Sequence, residues 1–320
     1  ICHLVRKSFF IIIRLYTIDI SYFHMARGYD ENDVKFRLIK LLHSSKSGIS
    51  GVEVSEKLGI NRVTMSKYLN KFAAEGTITQ ENIGNLNLWF VDEDIEQLNF
   101  PDDYFLVQEK FTSHIIDCME KPVYNLIKNC INSNAKLDKI ITEVILPTIP
   151  QIQKLFNDGK IGKSEQQLMT GIISNSIQMI THHSTHSESG KNIIILSADS
   201  ESLLFSEAAG AAFRSQKWNV FSVGDMSSSI DVLFDLELRK LLSKTWKLKE
   251  GLMMILVFSQ TEEGLKFISD SFYSVKEKSE NNLFIILSGK TGKKVKIKAD
   301  LFASKLEDIL QWSNTKHENI

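Results

Sequence analysis

Residues 48–91 read GISGVEVSEKLGINRVTMSKYLNKFAAEGTITQENIGNLNLWFV. The order of signals in this stretch decides how the first part of the chain folds. Val52, Val54 and Leu58 recur at helical spacing and predict a short helix over 51–58 with an inward apolar face. Gly59 suits the left-handed residue that closes such a helix. Asn61 is placed to cap a second helix, over 61–75, by accepting a free backbone N–H. On that helix Val63, Tyr68, Leu69 and Phe72 are assigned to the core, which leaves Arg62, Thr64, Ser66, Lys67 and Lys71 outside. Two β-runs, 77–83 and 86–91, flank Gly84-Asn85, residue types that tolerate the positive φ of a tight hairpin. Trp89 is expected to pack on this domain.

Upstream, Val34, Leu38, Leu41 and Leu42 predict a helix over 30–43, with acids in its first turn, where the helix dipole favours them. Residues 1–24 are apolar but interrupted by Arg14 and Asp19. Their longest clean apolar run, 9–13, is far below the roughly 20 residues of a membrane span. Arg6-Lys7 ahead of that run is only a weak echo of a secretory signal. MARGYDEND from Met25 looks like a cytosolic start, so 1–24 is expected to be an unstructured upstream extension, with a short anchor as the alternative.

The chain has 320 residues, 43% hydrophobic and 24% charged, which fits a soluble protein of two or three domains. Its formal net charge is -1, so no global basic field marks a nucleic-acid binder, and any such contact must rest on a local patch. Cys2, Cys118 and Cys130 lack metal or disulfide spacing, which suits a reducing cytoplasm.

Downstream, the acidic stretch 91–103 contains Pro101 and is read as a linker. Apolar helical runs at 105–119, 123–131, 137–156 and 164–180 predict a four-helix bundle over 104–183, with a kink or break at Pro147 and Pro150. Cys118 and Cys130 are assigned to its core. His182, His183 and His186 have no carboxylate or cysteine at ligand spacing, so no metal is expected there. Residues 191–315 alternate apolar strands (192–197, 218–223, 252–258, 283–287 and near 301–302) with helices, which predicts a five-stranded parallel Rossmann-like sheet. Ligands of such sheets bind beyond the carboxyl ends of the strands. That rim holds 198–205, 224–228, 259–262 and 288–292. KTGKK at 290–294 lacks the upstream glycine of a phosphate loop and is read as a solvated basic loop. No nucleophile–base, paired-carboxylate or metal-ligand spacing emerges, so catalysis is not expected. The domain boundaries are therefore 25–95, a linker at 96–103, 104–183, a second linker at 184–190, and 191–315.

The order helix, turn, capped helix, hairpin over 48–91 resembles the winged helix-turn-helix domain of bacterial and archaeal regulators. The resemblance implies an α+β winged helix that contacts double-stranded DNA through Asn61, Arg62, Thr64, Ser66, Lys67, Lys71 and Asn85. Arg62 and Thr64 would face base edges, and Lys67 and Lys71 phosphates. The wing, with Asn82, Asn87 and the opposing Glu81, would contribute less.

LFNDGKIGKSEQQLMTGIIS (155–174), IILSADSESLLFSEAAGAAFRSQKWNVFSVGD (194–225), ILVFSQT (255–261) and ADLFASKLEDIL (299–310) resemble the module of cobalamin-binding regulators, including light-sensing repressors with MerR-type DNA-binding domains. Methionine synthase and corrinoid proteins carry the same module. The resemblance implies a corrin cleft between bundle and sheet, at Phe156, Gln166, Gln167, Ser200, Ser202, Phe205, Gly224, Ser259 and Gly289. Gly159, Ser259 and Gly289 keep the family pattern. The family's Asp/Glu-x-His-x-x-Gly loop falls on Ser200, Ser202 and Phe205, so the cobalt-ligating His is replaced by Ser202, a poor cobalt ligand. Its upper Trp falls on Phe156 and its Glu-His pair on Gln166-Gln167.

The expectation is a cytoplasmic, dimeric, ligand-sensing transcription regulator with cobalamin as one candidate effector. Two alternatives stand beside it: a corrinoid-carrying methyl-transfer component, and a degenerate module kept for dimerisation or partner binding. For the bland reading, Ser202 would cap the helix it precedes, Phe156 would plug the bundle–sheet interface, and Gln166 and Gln167 would be surface residues. A filled cleft would favour the degenerate module, and a corrin-sized one lined by Phe156, Gln167 and Ser202 would favour cobalamin.

Overall fold

In the computed structural model, the described residues are 29–45, 47–84, 86–91, 98–184, 186–229, 234–246, 251–276, 282–289 and 298–319. The expectations placed on 1–24, on Asn85, on 92–97 of the acidic linker and on the basic loop 290–294 lie outside them. The described residues form two compact units, one ending at Val91 and one starting at Leu98.

In the first unit, helix α1 (Glu31–His43) is followed by strand β1 (Ile49–Ser50), α2 (Gly51–Leu58), α3 (Arg62–Ala74), β2 (Thr79–Ile83) and β3 (Leu86–Phe90). The short strand β1 is an addition to the elements expected from sequence. It pairs antiparallel with β3, placing Ile49 opposite Trp89, so the sheet order is β1-β3-β2. Ser50 Oγ accepts from Glu53 N at the start of α2, and Gly59 closes α2 at φ 68. Asn61 caps α3, its Oδ1 accepting from Val63 N at 2.9 Å. The core gathers Val34, Leu38, Val54, Leu69, Phe72 and Trp89, among others.

Two assignments on these helices are corrected. Val63 is 68% exposed, and Met65 fills the core at 0%. Val52 is also exposed. On a helix entered at Asn61, Met65 and Leu69 are four residues apart and share a face with Phe72, whereas Val63 lies on the opposite side.

The second unit starts with Leu98, whose side chain is buried in the helical core and whose N–H donates to Ser133 Oγ. Helices α4 (Tyr104–Ile116) and α5 (Glu120–Asn132) lead to a short turn, Leu137–Lys139, a π-helical stretch, Ile140–Ile145, and α6 (Leu146–Asn157). Pro147 and Pro150 do not break this segment. Leu146 N donates to Ile141 O, five residues back, and this wider turn carries the chain past Pro147, which has no N–H to donate. α7 (Lys163–His182) completes the helical part. Cys130 is buried there, and burial pushes its thiol up to about 12, as befits a packing residue; Cys118 is half-buried against the same core.

Strand β4 (Lys191–Ser197), α8 (Leu203–Ser215), β5 (Asn219–Asp225), α9 (Phe234–Thr245), β6 (Leu252–Ser259), α10 (Glu262–Lys276), β7 (Leu283–Gly289), β8 (Leu301–Phe302) and α11 (Leu306–Glu318) follow. Among the described residues the sheet is parallel throughout, in the order β5-β4-β6-β7-β8. Its two faces split by strand alternation. Ile193, Ile195, Met254 and Leu256 join the core of α4–α8 and α11, while Ile194, Leu196, Met253 and Ile255 join the core that holds α9 and α10 residues such as Leu242 and Phe272. Among the described residues no helix is long and apolar enough to cross a membrane.

The helix-face correction makes a stability prediction. Met65→Ala should cost about 3 kcal/mol, as deletion of a buried side chain does, and Val63→Ala less than about 0.5 kcal/mol. Urea unfolding followed in the first unit checks both, and equal costs would return Val63 to the core.

Candidate functional site

Two regions collect the candidate residues, one in each unit. In the first unit, α2, α3 and the hairpin enclose a groove of about 410 Å³. Arg62 and Ser66 line it together with Asn70, Gln80 and Asn87. Asn70 and Gln80 are amide side chains that the sequence reading did not place in the site, and Asn87 it named only as part of a minor wing. Amides and guanidinium are the groups that pair bidentately with base edges.

The cations around this groove are largely matched by acids. Arg62 Nη2 lies 3.1 Å from Glu56 Oε1, and Lys71 Nζ lies 2.5 Å from Glu31 Oε1. The Glu31 hydrogen bond, outweighing partial desolvation, raises the Lys71 ammonium above its ordinary value. Lys67 is exposed and forms no ion pair among the described residues. Thr64 is half-buried, Ser66 is exposed, and Asn61 is engaged as the helix cap.

In the second unit, the carboxyl ends of the strands carry a hydrogen-bonded knot centred on Asp199, a residue the sequence reading passed over. Its Oδ1 accepts from Ser202 N at 2.9 Å. Its Oδ2 accepts from Ser259 Oγ at 2.6 Å and from Gln260 N at 2.8 Å. Burial pushes the Asp199 carboxyl upward, but the bonds from Ser259, Ser202 and Gln260 outweigh it and hold the group below the usual carboxylate range. Ser259 is therefore engaged within the protein, and its Oγ also meets Thr261 O at 2.9 Å. Asp199, and not the Ser202 hydroxyl, caps the turn that opens α8.

The nine residues assigned to one cleft do not meet in one cavity. Gln166, Gln167 and Ser200 line a small cavity of about 200 Å³ between α6, α7 and the loop after β4. Gln166 is buried, donating to Gln153 Oε1 at 3.1 Å and accepting from Lys163 Nζ at 3.0 Å, so it is not a surface residue. Lys163 Nζ also sits 5.2 Å from the centre of the Phe156 ring. Phe205 and Gly289 line a different cavity, of about 390 Å³. Gly289 has φ 155, and a Cβ there would collide with the backbone carbonyl of Ser259, so strand pairing alone requires the glycine. Gly224, at φ 87, is the next-to-last residue of β5, past the register shift at Ile195/Leu196, and its carbonyl accepts from Ser197 Oγ.

Ser202 is 1% exposed, and its Oγ has no partner among the described residues. A corrin would need a base at this position and open space above it. At this position stands a buried hydroxyl, a poor cobalt ligand, and the cavity lined by its neighbours Ser200, Glu201, Leu203 and Leu204 is smaller than the roughly 300 Å³ lower bound of ordinary ligand pockets. The residues present do not fit a corrin held through a protein base.

No protein-family model matches the sequence, and no curated protein matches it. Among solved structures, the monomethylamine corrinoid protein of Methanosarcina barkeri is similar with a TM-score of 0.52 at 13% identity, over 67% of this chain and 99% of that one. The methanol:cobalamin methyltransferase complex of the same organism aligns with a TM-score of 0.33 at 12% identity, over 70% of this chain and 87% of that one. The first likeness is one of fold. The shared architecture is a set of helices followed by a five-stranded parallel sheet.

The Asp199 knot sets a pH dependence. A carboxyl with a depressed folded pKa adds stability above the unfolded value near 3.9, and that stability is lost as pH falls through the folded pKa. Asp199→Ala should cost about 3 kcal/mol at pH 7 through three lost hydrogen bonds, and less at acid pH once the folded carboxyl is protonated. Thermal melts of wild type and variant at both pH values check this, and an equal loss at both would remove the carboxylate from the account.

Proposed function

We propose that this protein is a DNA-binding transcription regulator whose corrinoid-type module serves as a sensor or dimerisation domain without a resident corrin. The observation that carries the reading is the groove between α3 and the hairpin, where Arg62, Ser66, Asn70, Gln80 and Asn87 converge behind a capped helix. That arrangement matches a winged helix-turn-helix domain, in which the second helix enters the major groove. Arg62 and the amides would read bases, and Lys67, the exposed cation outside any described ion pair, would contact phosphate. One such domain spans a short half-site, so two copies are expected on the operator. In this reading the protein is not an enzyme, and its larger unit couples a small molecule to the pairing of copies.

The fold likeness to a corrinoid protein supports a second reading, that of a corrinoid-carrying methyl-transfer component. The buried Ser202 and the small size of the cavity at Gln166, Gln167 and Ser200 count against that reading. The visible spectrum of protein incubated with methylcobalamin and then desalted separates the two. A colourless protein is expected, and retained corrin absorption with one equivalent bound would favour the carrier.

The DNA reading is tested on an operator selected from random duplexes. Lys67→Ala should weaken binding at all sequences and reduce the slope of log K against log salt by about 1. Lys71→Ala should do less, because Glu31 already matches that charge. Arg62→Ala should relax sequence preference. Failure to select any duplex, or an unchanged salt slope in Lys67→Ala, would overturn the assignment of α3.

A further inference from the structure

Val63 is the most exposed large apolar side chain among the described residues of the first unit, at 68%. Its place on α3 is specific. Met65, Leu69 and Phe72 mark the side of the helix that is buried. At 3.6 residues per turn, Val63 is the residue of the first turn that points most nearly away from them. It falls between Asn70 and Lys67 on the outward face, where Arg62, Ser66, Asn70, Lys67 and Lys71 are all exposed. Val63 is the one large apolar side chain exposed on α3.

In the free protein that valine is a poor choice. It buries little, and its β-branched side chain loses χ1 freedom on a helix, which alanine in the same place would not. Its surroundings limit what it can meet. A protein partner would need an apolar patch, and the rest of this face is polar or cationic apart from the small Ala74. Cations and amides around a single apolar point suit the major groove of a duplex. The base edges there offer donors, acceptors and one apolar group, the 5-methyl of thymine. Against the edges of guanine, adenine or cytosine a valine covers polar atoms and returns no hydrogen bond. Against the thymine methyl, two apolar groups leave water together.

We infer that Val63 selects thymine, its γ-methyls packing on the 5-methyl of one thymine in each half-site. This makes Val63 a specificity-determining residue that acts through apolar contact, beside hydrogen-bonding neighbours. The inference rests on the regulator reading and deepens it, since it assigns a base to a residue that carries neither charge nor hydrogen-bonding group.

The test uses the full chain and the operator selected from random duplexes. Each thymine is replaced in turn by deoxyuridine, which removes the methyl and keeps every hydrogen-bonding group. At one thymine per half-site the replacement should weaken binding about fourfold, the effect of one buried methyl. Val63→Ala should weaken the intact operator by a similar factor, bind the thymine and deoxyuridine forms equally, and relax selection at that base pair. Its melting temperature should stay within a few degrees of wild type, because the side chain lies outside the core. Lys67→Ala should keep the fourfold deoxyuridine effect while binding more weakly overall. Indifference of the wild type to deoxyuridine at every thymine, or a deoxyuridine effect that survives in Val63→Ala, would overturn the role of Val63. A salt slope reduced in Lys67→Ala would then leave the DNA-binding reading standing. Failure to select any duplex would overturn both.

Discussion

The second unit depends on one constraint: β6 is buried at every position, so neither face of the sheet can meet water. LMMILVFS has no polar alternation, and a strand of that kind is stable only when helices cover both sides. α9 and α10 cover one face. The other is covered by α8 and α11 and, beyond them, by the helices that precede the sheet in the chain. The hydrophobic demand of β6 therefore brings a helical layer against the carboxyl ends of the strands, and the two cavities that gather the candidate residues form at that seam. The fold likeness to a corrinoid protein reflects this architecture, and it persists at 13% identity because the architecture asks only for apolar residues at alternating and helical positions.

The polar chemistry at the seam is one of self-satisfaction. Asp199 takes up the N–H of Ser202, the N–H of Gln260 and the hydroxyl of Ser259, so three groups on two loops are held by one carboxylate. Gln166 is held between Gln153 and Lys163. These bonds close the loop after β4 against β6 and close α7 against α6. Polar groups that are mutually satisfied gain nothing from a new partner unless that partner replaces every bond it breaks. Among the described residues Thr142 Oγ1, Ser202 Oγ and Glu262 Oε1 are exceptions, polar atoms buried without partners.

How much of this was legible in the sequence depends on the range of the interaction involved. The strands of the sheet were readable because continuous apolar runs bounded by polar loops have one stable use. Asn61, Gly59 and the hairpin turn were readable because caps and turns are local. Val63 was misassigned and Met65 passed over, although their spacing to Leu69 and Phe72 puts Met65 on the core face and Val63 on the other. The π-turn was hidden, since two prolines predict disruption while the outcome depends on whether a neighbouring helix can hold a widened turn in place. Asp199 was overlooked for the same reason. Its partners Ser259 and Gln260 lie 60 and 61 residues away, and nothing local marks a carboxylate that ties two loops together.

The first unit poses a related electrostatic question. Its cations are spent in part on neighbouring acids: Arg62 on Glu56, Lys71 on Glu31, Lys35 on Glu75 and Lys57 on Glu53. Exposed pairs of this kind contribute at most about 1 kcal/mol, so a phosphate can displace a carboxylate from a lysine at little cost. The net field of the surface is a different matter, because each acid that remains nearby still repels the duplex backbone. Non-specific affinity should then be weak, since it depends on summed charge. Discrimination would rest more heavily on the neutral groups of the groove, Ser66, Asn70, Gln80 and Asn87, which lose hydrogen bonds at a wrong base whatever the salt. On the proposed regulator reading, such a surface would trade attraction to all DNA for contrast between sequences.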